Sequence, residues 1–212
     1  MAIAFDAKSN GITQTVAHTC TGNNLILVVG FITYRVAGTA NSVTGVTYNG
    51  VLMTQAGVLT RSGGTSEYQY LYYLVNPSTG TNNIVVSTSN TLDSFGMSSA
   101  SYTGVNQIGQ PDSYVTSPVT ADTQVTTTTT TIADNCWLAG FFTVDTVGAW
   151  IAGANTTLRD GTINEIFVDS NGAKTPVGVY SLVATHALGQ CSGQMISISP
   201  ALSNVGNMFL VI

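Results

Sequence analysis

Few side chains in this sequence could act as a general base, because the chain contains only two histidines, His18 and His186. Each lies in a strand-like pattern, in the segments VAHTC and LVATHALG. A serine or cysteine nucleophile needs such a base beside it to react efficiently. No GxSxG, HExxH or Walker A pattern accompanies either histidine. We therefore expect both to be strand residues that are held by a hydrogen-bonding neighbour.

The two glutamates, Glu67 and Glu165, are the next candidates for chemistry. Two carboxyl groups hydrolyse glycosidic bonds when they lie roughly 5 to 9.5 Å apart, and a β-sandwich can carry such a pair. Nothing in the sequence around these two residues predicts that the fold brings them together. A glycan-cleaving enzyme is therefore the weakest of the functions considered, and we expect the protein not to be an enzyme.

No cofactor or metal ion is predicted. The segment Asp169–Gly172 resembles part of a calcium loop, but it lacks the third ligand and the distal glutamate of an EF-hand, so a β-turn explains it better. Cys20, Cys136 and Cys191 are an odd number at wide spacing with no CxxC pair, which disfavours zinc. We expect small buried thiols, and whether two of them form a disulfide stays open.

Aromatic residues form the most distinctive candidate surface. Tyr68, Tyr70 and Tyr72 alternate along one strand and share one of its faces, and Trp150 lies in the loop-like segment VGAWIAG. Tyrosine rings on a sheet pack in cores or oligomer contacts, and they also stack on sugars. We expect core or oligomer packing first and contact with a glycan second.

The elements that position these residues are β-strands almost throughout. Thr, Val, Ile and Tyr dominate, Gly, Asn and Ser interrupt them every 8–12 residues, and no long segment has a helical period. About a dozen strands with little or no helix predict an all-β, jelly-roll-type antiparallel sandwich. Asn49-Gly50 predicts a type I′ hairpin. We expect one domain over residues 1–212 with a long connection at 104–121, where a two-domain split is the alternative.

A run of six threonines, Thr126–Thr131, has two chemically similar faces. Burial then specifies its register poorly, so we expect an edge strand or an exposed arm.

Charge is scarce, at 7% of residues, with a net charge of −5 and only five lysines and arginines. Nucleic acids and anionic membranes need clustered cations, so neither is an expected partner. The longest apolar run, Leu25–Ile32, is too short to span a bilayer. No secretory signal is recognisable at the N-terminus, so we expect synthesis in a cytoplasm. Weak electrostatic repulsion between copies favours self-association.

Several segments carry a resemblance to uncharacterised β-sandwich proteins of tailed bacteriophages and bacterial genomes, of the concanavalin-like or jelly-roll kind. They are IAFDAKS, HTCTGNNLILVVG, VTGVTYNGVLMTQ, LYYLVNPSTGTNNIVV and ASYTGV, and they cover about the first half of the chain. The resemblance implies a virion surface protein. We expect a non-catalytic structural component, a capsid decoration, fibre or tail-associated protein, whose partners are its own copies and other virion proteins. A carbohydrate-binding module for a cell-surface glycan is the alternative.

Overall fold

The computed structural model describes residues 1–35, 42–60 and 67–202, and these contain sixteen strands and no helix. The strands of the first half are β1 Ala4–Gly11, β2 Thr15–Cys20, β3 Ile26–Tyr34, β4 Val43–Tyr48, β5 Val51–Leu52, β6 Thr54–Thr60, β7 Glu67–Val75, β8 Gly80–Thr88 and β9 Ser94–Thr103. Those of the second half are β10 Ser113–Thr116, β11 Thr120–Thr130, β12 Trp137–Val144, β13 Ile151–Ala152, β14 Thr157–Gly161, β15 Glu165–Asp169 and β16 Val179–Ile198. The predicted all-β antiparallel fold is confirmed, with more strands than the expected dozen.

The strands form three sheets, where a jelly roll has two. A central sheet has the order β1-β9-β3-β7-β6, and an outer sheet the order β2-β8-β4-β5. A C-terminal sheet has the order β10-β16-β12-β15-β14, with β11 and β13 also paired to β16. All pairs are antiparallel. The first half of the chain builds the central and outer sheets, and the second half builds the C-terminal sheet.

The central sheet is covered on both faces because its middle strand β3 is apolar on both. Leu27 and Phe31 point into a core shared with the outer sheet, whereas Ile26 and Val28 point into a core shared with the C-terminal sheet. Successive residues of a strand face opposite sides of the sheet, so a strand that is buried on both faces has a continuous apolar sequence. The same reasoning holds for β12, which lies between β15 and β16 as predicted.

The C-terminal sheet folds back on itself through the 20-residue strand β16. Its first part pairs with β11 and β13, its second part pairs with β10 and β12, and Cys191 lies opposite residues of both β11 and β12. Leu182 from the first part packs against Leu138 and Phe142 of β12 in a third core. The outer face of β12 is therefore covered by the sheet's own first part.

Two local predictions can be checked directly. Asn49 and Gly50 have φ values of 49° and 76° and join β4 to β5, so the type I′ hairpin is confirmed. The expected long connection at 104–121 does run between the two halves of the chain, but it is not without structure. It contains β10, and β11 begins at Thr120, because both strands pair with β16 on the side away from β12 and β13.

The first five threonines of the run lie in β11, whose one partner among the described strands is β16, so the edge position is confirmed. The expectation that burial specifies its register poorly was wrong. Thr127 and Thr129 are buried, whereas Thr126, Thr128 and Thr130 are exposed. The strand covers the folded sheet with one face only, so the tertiary structure makes two chemically similar faces unequal.

Candidate functional site

The tyrosines of β7 lie mainly inside the protein. Tyr70 and Tyr72 are 2% and 7% exposed, and their rings stack on Phe31 with centroids 4.9 and 5.7 Å apart. Burial raises the pKa of both phenols. Tyr68 is partly buried against the same core. Core packing, the first of the two expectations for these residues, is what the structure shows for Tyr70 and Tyr72, because a sugar ring has no access to their faces.

Trp150 belongs to a different cluster and is partly buried against the third core. Its ring meets that of His186 edge to face, with centroids 4.7 Å apart. The tyrosines pack between the central and outer sheets, so the four aromatic residues singled out in the sequence do not form one surface.

Exposed aliphatic side chains occur in the segments that adjoin Trp150. Val147, Ile151 and Leu188 are 70%, 65% and 65% exposed. They belong to neighbouring segments, because Ile151 pairs with Thr185 and a Cβ on the adjacent Gly148 would lie 3.0 Å from Ala187. We call Val147, Trp150, Ile151 and Leu188 the Trp150 patch. Large aliphatic side chains gathered at one place on a surface mark contact sites more often than isolated ones do.

His18 lies between the central and outer sheets and is held by three hydroxyl groups. Its Nδ1 is 2.9 Å from Ser9 Oγ and 3.1 Å from Ser99 Oγ, and its Nε2 is 3.0 Å from Ser101 Oγ. Ser101 donates its proton to Asp6 at 2.6 Å, so it accepts from His18, and Nε2 carries the ring proton. Nδ1 is then an acceptor for a serine hydroxyl. The expectation of a strand histidine satisfied by its neighbours is confirmed here.

The chain Asp6–Ser101–His18–Ser9 resembles a proton relay, but its position does not suit catalysis. The imidazole is 1% exposed. Burial lowers the pKa of His18 to about 4, although the charge of Asp6 acts in the opposite direction. A substrate has no route to a ring enclosed by two sheets, and a base so weak is poorly matched to neutral pH. The sequence did not reveal this cluster, because its members come from three separate strands.

The other histidine has a different environment. His186 Nδ1 is hydrogen-bonded to the carbonyl oxygen of its own neighbour Ala187. Its Nε2 and the indole Nε1 of Trp150 are both buried, and neither has a hydrogen-bond partner within the described ranges. The expectation of a neighbour-held histidine is therefore met at one ring nitrogen only.

The two glutamates lie near enough for the charge of Glu67 to act on Glu165. Glu165 is 1% exposed, and its carboxyl fills the space above Gly96, where a Cβ would lie 2.5 Å from Oε1. Burial raises the pKa of Glu165, and the charge of Glu67 raises it further. Oε1 has no hydrogen-bond partner in the described part of the chain. The Glu165 carboxyl is buried against the backbone of Gly96, so a sugar has no access to it.

Asp169, from the calcium-like segment, is fully buried and saturated with donors. Arg159 Nε donates to Oδ2 at 2.6 Å, Tyr102 donates to the same oxygen at 2.9 Å, and Asn171 N–H donates to Oδ1 at 2.9 Å. Asp169 ends β15, and a bend follows at Asn171 and Gly172. Within residues 1–35, 42–60 and 67–202, no group of three or more His, Cys, Asp or Glu could hold a metal ion. Cys20, Cys136 and Cys191 are buried free thiols, so no disulfide joins them.

No family model, curated protein or solved structure matches this chain. The resemblance to bacteriophage proteins therefore stays a prediction from the sequence. The described residues also contain no helix with the length and apolar character needed to cross a membrane.

Proposed function

We propose that this protein is a structural component of a bacteriophage particle, a decoration, fibre or tail-associated surface protein that assembles with its own copies and does no catalysis. The observation that carries the proposal is the Trp150 patch on a chain in which only 7% of residues are charged. Three aliphatic side chains there are about two-thirds exposed, and the whole chain has only five basic and ten acidic residues.

The patch supports assembly because burying exposed aliphatic surface is favourable, and few charges oppose the approach of a second copy. Some of the few charged groups are also used within the protein. Arg159 and Asp169 pair with each other in the interior, and Lys8 lies 3.9 Å from Asp160. Such a surface offers contact area and hydroxyl groups, which suits a protein that packs against its copies.

The positions of the reactive groups support the non-catalytic part of the proposal. His18 and Glu165, the best acid–base candidates, are enclosed between sheets, and Asp169 already has three donors. General acid–base catalysis requires a group within hydrogen-bond reach of its substrate. In this fold the polar groups of the interior hold sheets together.

The assignment to a phage particle rests on the segments that resemble phage proteins and on an all-β, charge-poor chain. A carbohydrate-binding module is less well supported. Of its four expected contact residues, Tyr70 and Tyr72 are buried, and Tyr68 and Trp150 lie in separate clusters. Binding to a glycan array that is lost with Trp150→Ala would favour that alternative over the present proposal.

Light scattering over a range of protein concentrations tests the assembly. We expect a mass of two or more copies, reduced by Ile151→Ser. Ile12→Ser is the matched control, because Ile12 is also highly exposed but lies outside the patch. A wild-type protein that stays monomeric at every concentration would overturn self-assembly. Mass spectrometry of phage particles purified from a strain that encodes the chain tests the assignment, which fails if the protein is absent from them.

A further inference from the structure

Among the strands that the structure describes, β11 has an unusually long edge without a partner strand. It has 11 residues, and its pairing with β16 runs without a bulge from Gln124 to Thr130. Other edge strands in the described ranges are shorter, as β2, β5 and β10 are, or carry a bulge, as β1, β6 and β14 do. Proteins protect their edges by such shortening and bulging, or with lysine and proline. The segment Thr123–Ile132 contains no proline and no charged residue.

The direction of the backbone N–H and C=O groups of β11 follows from the hydrogen bonds that β16 makes on its other side. Val183 accepts a hydrogen bond from Gly153 N–H and donates one to Thr156 Oγ1, both at 2.8 Å. These groups belong to the segment containing β13, so the backbone of Val183 faces away from β11. Its partner in the ladder is Thr126, which is therefore a non-hydrogen-bonded position.

Hydrogen-bonded and non-hydrogen-bonded positions alternate along an antiparallel pair of strands. Thr128 and Thr130 are therefore non-hydrogen-bonded positions relative to β16, as Thr126 is. Thr131 fits this alternation, since its N–H donates to Gly178 O at 2.9 Å on the β16 side. Three N–H and three C=O groups, those of Thr126, Thr128 and Thr130, thus point outward from the edge. No described strand pairs with them.

We propose that two copies of this chain pair antiparallel through their β11 edges, so that the C-terminal sheet continues from one copy into the other. This inference rests on the proposed self-assembly and adds a second contact surface to the Trp150 patch, because β11 and β13 lie on opposite sides of β16. A second copy is the fitting occupant because the edge is self-complementary. A twofold axis sets threonine against threonine, and such cross-strand pairs are favourable.

The absence of charged residues from Thr123–Ile132 also favours a second copy as the partner of this edge. A lysine or aspartate in the paired segment would face a like charge in the twofold arrangement, and like charges opposite each other are unfavourable. Asp122 is outside the bulge-free stretch, next to the register shift between Asp122 and Gln124. The buried faces of Thr127 and Thr129 hold the strand on its own sheet, so the outward groups keep a defined direction when a second copy arrives.

Thr128→Pro tests the proposal by light scattering. It removes an outward N–H that makes no bond to β16, and proline is accepted at edge positions of this kind. We expect a lower assembled mass than that of the wild type at the same concentration. Thr128→Ala is the matched control, which keeps the N–H and should keep the assembly. Circular dichroism checks that each variant is folded.

Thr128→Lys gives a second test should the proline variant fail to fold. We expect weaker assembly that high salt restores, because screening reduces repulsion between the two ammonium groups. Hydrogen exchange gives an independent readout in the wild type. The amides of Thr126, Thr128 and Thr130 should exchange slowly in the assembled protein and quickly on dilution, whereas those of Thr127 and Thr129 should stay protected in both.

The outcomes separate the two proposals. If the wild type assembles, and neither Thr128→Pro nor Thr128→Lys changes its mass, the edge inference is wrong and self-assembly stands. Fast exchange at Thr126, Thr128 and Thr130 in the assembled protein overturns the edge inference in the same way. A wild type that is monomeric throughout overturns self-assembly and the edge pairing with it.

Discussion

The ring of Phe141 lies directly on the backbone of Gly30. A Cβ on Gly30 would come 2.1 Å from Cγ of Phe141, closer than any real contact. Gly30 is in β3 of the central sheet and Phe141 in β12 of the C-terminal sheet, so this contact joins the two halves of the chain. Glycine is required here by close approach to a ring, and the ring's base is attached to a buried strand that cannot move aside cheaply.

Gly30→Ala should therefore destabilise the protein. Overpacking of a well-filled core costs about 1–3 kcal/mol, and this site should lie at or above the upper end of that range. The free energy of unfolding from urea titration measures it. Gly45→Ala is the control, because its added Cβ meets only Leu52 at an ordinary 3.6 Å. Equal losses of unfolding free energy in the two variants would contradict a clash between the added Cβ and Phe141.

The buried pair Arg159–Asp169 should be far more important for stability than the exposed pair Lys8–Asp160. Asp169→Asn leaves Arg159 without its counter-charge and weakens the bond from Tyr102, and breaking a buried pair costs roughly 3–5 kcal/mol. Asp160→Asn, at a contact of 3.9 Å on the surface, should cost less than about 1 kcal/mol. Urea denaturation at pH 7 compares the two variants. Similar losses of unfolding free energy in the two variants would contradict the larger contribution of the buried pair.

His18 should make the protein sensitive to acid. The pKa of this imidazole is about 4 in the folded protein and about 6.5 when unfolded. The unfolded chain therefore binds a proton first, and stability present above pH 6.5 is lost as the pH falls toward 4. A difference of this size corresponds to roughly 3 kcal/mol. Unfolding free energies measured between pH 7 and 4 give the slope.

His18→Gln is the comparison for that prediction, since it removes the titrating group and keeps a side chain that can hydrogen-bond to serine. We expect a flatter profile between pH 6.5 and 4, whatever its absolute stability. An unchanged slope would assign the acid sensitivity to another group.

Glu165 should make the protein less stable as the pH rises, which is the opposite of the effect of His18. Burial raises its pKa above the ordinary 4.5, so the unfolded chain loses its proton first as the pH rises. Stability is then full below about pH 4.5 and falls as the pH rises toward the folded pKa. Glu165→Gln removes this loss, and its advantage over the wild type should grow with pH in thermal unfolding from pH 4 to 8. Glu67→Gln is the control, which also removes a charge beside Glu165 but leaves the buried carboxyl, so its effect should be smaller.

The local patterns of the sequence were sufficient for several features. Continuous apolar runs predicted that β3 and β12 are central strands, and Asn49-Gly50 predicted its hairpin, because both depend on neighbours along the chain. The threonine run predicted an edge strand for the same reason. The low content of charge also follows from the sequence alone and supports the proposed assembly.

Only the tertiary structure decided which faces and groups are accessible. The sequence made Tyr70 and Trp150 equal candidates for contact with a glycan or another copy. In the structure the outer sheet covers Tyr70, whereas the aliphatic side chains of the Trp150 patch are exposed. His18 meets Ser101 and Asp6, and Glu165 meets Gly96, across long separations in the chain. The outward direction of Thr126, Thr128 and Thr130 depends on the pairing of β16 with two strands at once. Burial and hydrogen-bond direction arise from contacts between distant segments, and no local pattern specifies them.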